Sequence, residues 1–327
     1  MRKKPCLISM VVLIILWTAC SKDHPGPHPT PAPQDSVYWT RINTGLGNID
    51  LSEIYFTDSL HGFIAASDKY LYASSDGGRT WIKVGSVEAK RQFLQFFFLD
   101  KQHGYAIGRD ELAFTFDEGQ SWTVKPISVP STDIWTNVQF TSLSTGFITT
   151  GAATYKTTDT GSTWHQVNAE LSNGIYFTDQ HTGYAFTRGD SISKTTDGGD
   201  HWQPLSLLPT SIPIAMDLYN VLQFTDTQHG WMMDYSTLCA TSDAGGHWTK
   251  LSSTSFSDTS IFTDFQMVNN QTGWLATPKL ISKTENGGVD WEKSYDAGSD
   301  LIISINFIDD HYGWVGCQKG ILLKYHR

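Results

Sequence analysis

The chain has 327 residues, a formal net charge of −10, 17% charged residues and 13% aromatic residues. That length carries a large core and exceeds the usual single domain unless the domain is a barrel or a repeat array. The acidic balance excludes bulk attraction for nucleic acid, and sparse charge with abundant aromatics suits an all-β protein.

Residues 1–19 read as a signal peptide. Arg2, Lys3 and Lys4 form a basic start, and Leu7 to Trp17 an apolar run too short to span a bilayer stably. Leu16-Trp17-Thr18-Ala19-Cys20 resembles a bacterial lipobox, with Trp17 departing from the usual Leu, which makes Cys20 the expected lipid attachment site. Removal of residues 1–19 takes away those three cations and no acid, so the net charge moves from −10 to −13. Residues 20–36 form a tether with prolines at 25, 27, 29, 31 and 33. At ~3.1 Å per residue it spans roughly 50 Å. His24 and His28 read as spacer residues. Ser21-Lys22-Asp23 resembles a surface-export tag, and the expected location is the bacterial cell envelope as an outer-membrane lipoprotein. Cys239 and Cys317, the other cysteines left, fall in non-adjacent repeats and make no disulfide framework.

From residue 37 to 327 the chain repeats itself. Asp-x-Gly-x-x-Trp occurs at Asp76–Trp81, Asp117–Trp122, Asp159–Trp164, Asp197–Trp202 and Asp243–Trp248, and as Asn286–Trp291 with Asn in place of Asp. A period near 42 residues with a fixed turn marks a repeat architecture. The Asp accepts turn amides, the Gly supplies positive φ, and the Trp gives the next strand an apolar body to pack on a neighbouring repeat. The motif reads as a hairpin staple.

A second marker precedes each staple: an aromatic strand, a polar turn, then Gly and an aromatic. It runs from Phe56…Gly62-Phe63 to Phe307…Gly313-Trp314, with blade six read as Phe265…Gly273-Trp274. Seven such copies face six staples. In the first copy Leu51–Phe56 is strand A, Gly62–Ala66 B, Tyr70–Ser74 C and Thr80–Val84 D, the four strands of a propeller blade. The seventh copy starts at Leu301 and stops after strand C, while Trp39 lies one period before Trp81. The N-terminal strand therefore completes the last blade, giving an all-β, seven-bladed β-propeller without open edges. Pro204–Asn220 reads as an extended connection between repeats four and five.

The staples resemble the Asp-box, or bacterial neuraminidase repeat, of sialidases, sortilin-type receptors and xyloglucanases. Lys194–Gly199 together with Phe177–Tyr184 resembles the photosystem II stability/assembly factor family of seven-bladed propellers, over residues 36–327. That resemblance implies a non-catalytic binding or assembly module with a protein or glycan client, no cofactor, and contact with a membrane only through the lipid. The protein is expected to be a monomer.

The alternative is a cell-envelope glycoside hydrolase, which needs converging carboxylates. A sialidase also needs an arginine triad, and Arg79, Arg41 and Arg327 are committed to a staple and the closing blade. His61, His103, His181, His229 and His311 recur in the A–B turns, where they read as turn caps and not as metal ligands. Basic residues gather at the B–C turns, Lys69, Arg109, Arg188, Lys279 and Lys319, with Lys90 and Arg91 in a D–A connection. These form a candidate binding face for an anionic client segment or glycan, and Asp68, Asp110 and Asp190 beside them supply the competing reading of solvated turn residues.

Overall fold

The computed structural model describes residues 38–88, 92–129, 135–150, 153–168, 171–187, 191–207, 221–234, 237–251 and 261–327. Contacts divide the chain into Met1–Gln34 and Asp35–Arg327. The first unit, with Cys20 and most of the expected tether, lies outside the described residues, as does 208–220 of the long connection; Pro204–Leu207, read as the start of that connection, instead belong to the strand Gln203–Leu207 that closes blade four.

Within the second unit stand seven antiparallel four-stranded sheets. Blade one is Leu51–Phe56, Gly62–Ala66, Tyr70–Ser74 and Ile82–Glu88. Blades two to six repeat the A–B–C–D order, with strand A at Phe93–Phe98, Trp135–Phe140, Leu171–Phe177, Val221–Phe224 and Asp264–Met267. Strand D of blade one begins two residues later than the motif predicts. Thr80 belongs to the turn, since its amide and hydroxyl are held on the Asp76 carboxylate at 2.9 and 2.6 Å.

Blade seven takes Ile302–Phe307, Tyr312–Cys317 and Ile321–His326 from the end of the chain. Its fourth strand is Trp39–Asn43, paired antiparallel with the last strand from Trp39 opposite Tyr325 to Asn43 opposite Ile321. The ring closes as expected.

Among the described residues the buried side chains form seven clusters, and each draws on two adjacent blades. Leu51, Ile54 and Phe56 of blade one pack with Trp314 and Leu322 of blade seven; Trp164 and Phe140 of blade three pack with Tyr105 and Leu112 of blade two. The hydrophobic core is thus a set of wedges between sheets. Each staple Trp lies in the wedge shared with the preceding blade, as Trp122 does on Phe63 at 5.8 Å.

The Gly of the second marker has a steric cause. In blade one Phe56 pairs with Gly62, and a Cβ on Gly62 would stand 2.4 Å from the Phe56 ring. The aromatic that ends strand A lies flat on the glycine opposite it. Phe98 on Gly104, Phe140 on Gly146, Phe177 on Gly183, Phe224 on Gly230 and Phe307 on Gly313 repeat this. Blade six departs from the sequence reading: Met267, not Phe265, pairs with Gly273 and covers it. Phe265 points instead into the wedge with Trp291.

Candidate functional site

A–B and C–D turns share one end of the ring; B–C turns and D–A connections share the other. The first end carries the staples. In blade one the Ser74 hydroxyl donates to Asp76 Oδ1 at 2.8 Å and accepts the Gly78 amide at 2.9 Å. Asp76 Oδ1 also accepts the amides of Arg79 and Thr80, both at 2.9 Å. Burial works against ionisation of Asp76, but the Thr80, Ser74 and Arg79 bonds outweigh it and draw its pKa down to about 2.

The same net recurs with changing partners. Ser121 and Thr163 play the Thr80 part for Asp117 and Asp159, while the His201 and His247 Nδ1 atoms contact Asp197 and Asp243 at 2.7 and 2.6 Å. The Asn286 exception is an exchange of roles. Its Nδ2 donates to Asp290 at 3.0 Å, so the carboxylate has moved four residues along and the bond has reversed direction. Single-motif reading could not see this, because the residue before the Trp looked unconstrained.

Histidines in the A–B turns accompany the cap without making it. Asp58 Oδ1 accepts the amides of Leu60 and His61 at 2.9 Å, and His61 Nδ1 sits 3.0 Å from the same oxygen. Asp100 with His103 and Asp226 with His229 repeat the arrangement. The expectation of His caps is corrected accordingly: the carboxylate closes the turn and the imidazole rests on it. In blade seven, Asp309, Asp310 and His311 bring three potential ligand atoms within 4.8 Å of one another. Asp309 is already bonded by the His311 and Tyr312 amides on an exposed turn.

Two strand C lysines, Lys156 and Lys324, act as struts to the next blade. Lys156 Nζ lies 5.6 Å from the Phe147 ring centroid and donates to Gly198 O at 2.8 Å and Asp200 at 2.6 Å in the next blade. Lys324 does the same over Trp314, reaching Gly77 O at 3.3 Å.

The opposite end holds the candidate basic face. Lys69, Arg109, Lys279 and Lys319 lie in B–C turns of blades one, two, six and seven. Lys90, Arg91 and Arg188 lie outside the described residues. Lys69 and Lys319 both take positive φ, 74° and 60°, at turn positions where a side chain is disfavoured. The Lys319 amide donates to Asp50 Oδ1 at 3.0 Å, and the Asp50 carbonyl accepts the Ser67 amide, which knits blades seven and one together. Tyr72 OH bonds Asp68 at 2.5 Å, so that neighbouring carboxylate has a partner of its own.

Between the ends runs the axis, lined by the A strands. Side chains there reach across to the next blade's backbone. The Gln139 amide brackets Phe177, donating to its carbonyl at 3.0 Å and accepting its N–H at 2.7 Å. Gln223 brackets Met267 and Gln266 brackets Phe307 in the same way, and Asn306 accepts the Phe56 amide. Two carboxylates also stand on these strands, Glu53 in blade one and Asp264 in blade six. Burial, then the charge of Asp264, pushes Glu53 well above the usual carboxylate range. Burial raises Asp264 to about 6 against the pull of the Ile305 and Phe265 amides, each at 2.8 Å. Neither acid was singled out from the sequence, where they lie far apart and match no motif.

A family profile described as photosynthesis system II assembly factor YCF48 matches residues 32–175 and 208–296, more than half of the chain. The chain belongs to this family. Solved structures of similar shape include YCF48 bound to D1 peptide, with a TM-score of 0.69 and 21% identity over 90% of this chain and 99% of that one. YCF48 from Cyanidioschyzon merolae gives 0.68 and 18% over 89% and 99%. A catalytically inactive virginiamycin B lyase from Staphylococcus aureus with quinupristin gives 0.70 and 10% over 88% and 99%. At these identities the likeness is one of fold. No curated protein matches the chain.

Proposed function

We propose that this chain is an exported binding and assembly propeller, held at the bacterial cell envelope through a lipid on Cys20, that grips a protein client and performs no chemistry on it. The observation that carries the reading is membership of the YCF48 family, one solved relative of which is described as bound to a D1 peptide. In this reading residues 1–19 are removed, 20–36 are the tether and 37–327 are the binding domain. The basic B–C face, Lys69, Arg109, Lys279 and Lys319 with Lys90, Arg91 and Arg188, receives an anionic segment of the client.

Among the described residues, Glu53 and Asp264 are a carboxylate pair that a glycan hydrolase could use as acid and base. Asp264 has one oxygen on the Phe265 amide and the other on the Ile305 amide, which ties it to the ring and favours a structural part for the pair. The test is capture from native envelopes by the full-length protein, wild type against Arg109→Ala with Arg188→Ala. Loss of captured partner in the variant is the expected result; unchanged capture would sink the basic face. Mass spectrometry of the purified protein, reading whether residue 20 is the lipidated first residue, tests the anchor separately.

A further inference from the structure

The two ends of the ring differ in a way the proposed client site does not use. Among the described residues, every exposed large hydrophobic side chain stands at the staple end, with Ile261 the exception. Three of them occupy consecutive blades: Leu60 in the A–B turn of blade one, Phe116 beside the staple of blade two and Leu143 in the A–B turn of blade three, 50%, 46% and 45% exposed. Their turns touch. Lys101 of blade two reaches Asp58 of blade one at 3.4 Å, Phe116 lies edge-on to His103 at 5.3 Å, and Tyr105 OH bonds the Leu143 carbonyl at 3.1 Å. Single exposed hydrophobics need no explanation, but a row of them on one face marks a contact surface.

That row runs through a field of negative charge. Asp58, Asp76, Asp100, Asp117, Glu118 and Asp159 stand in the turns of these three blades, against Arg79 and Lys101. Turn amides and hydroxyls hold Asp58, Asp76 and Asp159 at about 2, so they stay ionised at any physiological pH. Beyond Leu143 the row ends in a polar cleft between blades three and four, lined by Thr141, Ser142, Thr145, Lys156, His181 and Asp197, where the Lys156 ammonium is met by Asp200 at 2.6 Å.

We propose that the staple face of blades one to four docks a basic, amphipathic protein segment in which Lys or Arg alternates with Leu, Phe or similar side chains. Apolar side chains of the segment cover Leu60, Phe116 and Leu143, while its cations meet the carboxylates between them. Charge selects this occupant over the others. An anionic bilayer surface is repelled by the same carboxylates. A second copy related by a two-fold axis would set acid against acid. Residues 20–36 offer alternating prolines and no cation–apolar alternation. The inference is independent of the basic face at the other end of the ring.

The test uses the full-length protein in phosphatidylcholine nanodiscs and three fluorescent twelve-residue peptides, with empty discs as the blank. One alternates Lys with Leu and Phe, one replaces each Lys by Glu, and one keeps Lys but replaces the apolar residues by Ser. Anisotropy should show the first binding at least tenfold tighter than the other two, weakening severalfold from 0.1 to 0.5 M salt. Phe116→Ser with Leu143→Ser should weaken it at least tenfold, Leu60→Ser alone severalfold, and Lys319→Ser on the far face not at all. Equal binding of the three peptides, or indifference to the Phe116 and Leu143 changes, overturns the proposal. So does loss, in the same variants, of a dimer seen by sedimentation or of flotation with anionic vesicles, since either assigns the row to a different occupant.

Discussion

Trp39 donates its indole N–H to the Ser294 hydroxyl at 3.0 Å, across 255 residues of chain. Trp81, Trp202 and Trp291, its counterparts, bond a carbonyl of their own staple: Gly78, Gly199 and Gly288 at 3.0, 3.1 and 2.9 Å. Blade seven is assembled from both ends of the chain and has no such turn, so Trp39 takes its acceptor from strand D of blade six. Its ring also packs on Tyr295, Phe307 and Tyr325. Trp39→Ala should lower unfolding free energy by roughly 3–5 kcal/mol, as for a large buried aromatic. Trp39→Phe should keep most of the packing and lose about 1 kcal/mol with the hydrogen bond. Urea titrations of both variants check this, and a wild-type midpoint for Trp39→Ala would disprove the latch.

The exchanged pair in blade six predicts a non-additive result. Asn286→Asp alone sets its carboxylate against that of Asp290 across the turn and should destabilise by about 1 kcal/mol. Asn286→Asp with Asp290→Thr recreates the Asp76–Thr80 arrangement and should recover that loss. A double-mutant cycle read by thermal melting measures the coupling; simple additivity would show that the two residues do not act together.

Gly146→Ala tests the seat beneath the strand-A aromatic. The added Cβ falls 2.6 Å from Phe140, whose ring is pinned by stacking on Tyr105 at 3.5 Å and by Trp164 at 6.4 Å. Since Phe140 cannot swing aside, the cost should be about 1–3 kcal/mol, the range for overpacking. Near-ultraviolet circular dichroism should change along with the melting temperature.

Stability should vary with pH in two opposed windows. Staple carboxylates have depressed pKa values, so the stability they give is lost as pH falls from 4 through about 2. Glu53 and Asp264 are raised, so the folded form holds a proton the unfolded form has released, and stability falls as pH rises from 4 through about 6. Glu53→Gln removes one charge of the pair and should flatten the second slope, raising the melting temperature at pH 7 relative to wild type. An unchanged profile between pH 4 and 7 would mean the two acids do not meet across the axis.

What the sequence disclosed follows from its periodicity. Staples, blade count and closure could be read because Asp, Gly and Trp recur at fixed offsets. Two readings failed, one where Met267 takes the place of Phe and one where Thr80 is held in the turn and not in the strand, while the partnership of Asn286 with Asp290 inside a correctly read staple went unseen. Axial contacts were invisible because Gln139, Gln223 and Gln266 act across blades, on backbone that has no sequence signature. The acid pair needs two positions about two hundred residues apart to be superposed, which only the closed ring does. Of the candidate basic face, the B–C turn assignment of Lys69, Arg109, Lys279 and Lys319 was legible from strand alternation alone.

The short strand that shuts the ring also governs how the domain bears load. Trp39–Asn43 enters at the staple end, and its pairing with Ile321–His326 spans five residue pairs. Tension applied ahead of Tyr38 along the strand itself loads all five pairs in shear at once. Tension applied sideways peels them singly, beginning at Trp39 and Tyr325. Mechanical strength is therefore directional: the ring resists a pull along its closing strand and yields to one across it.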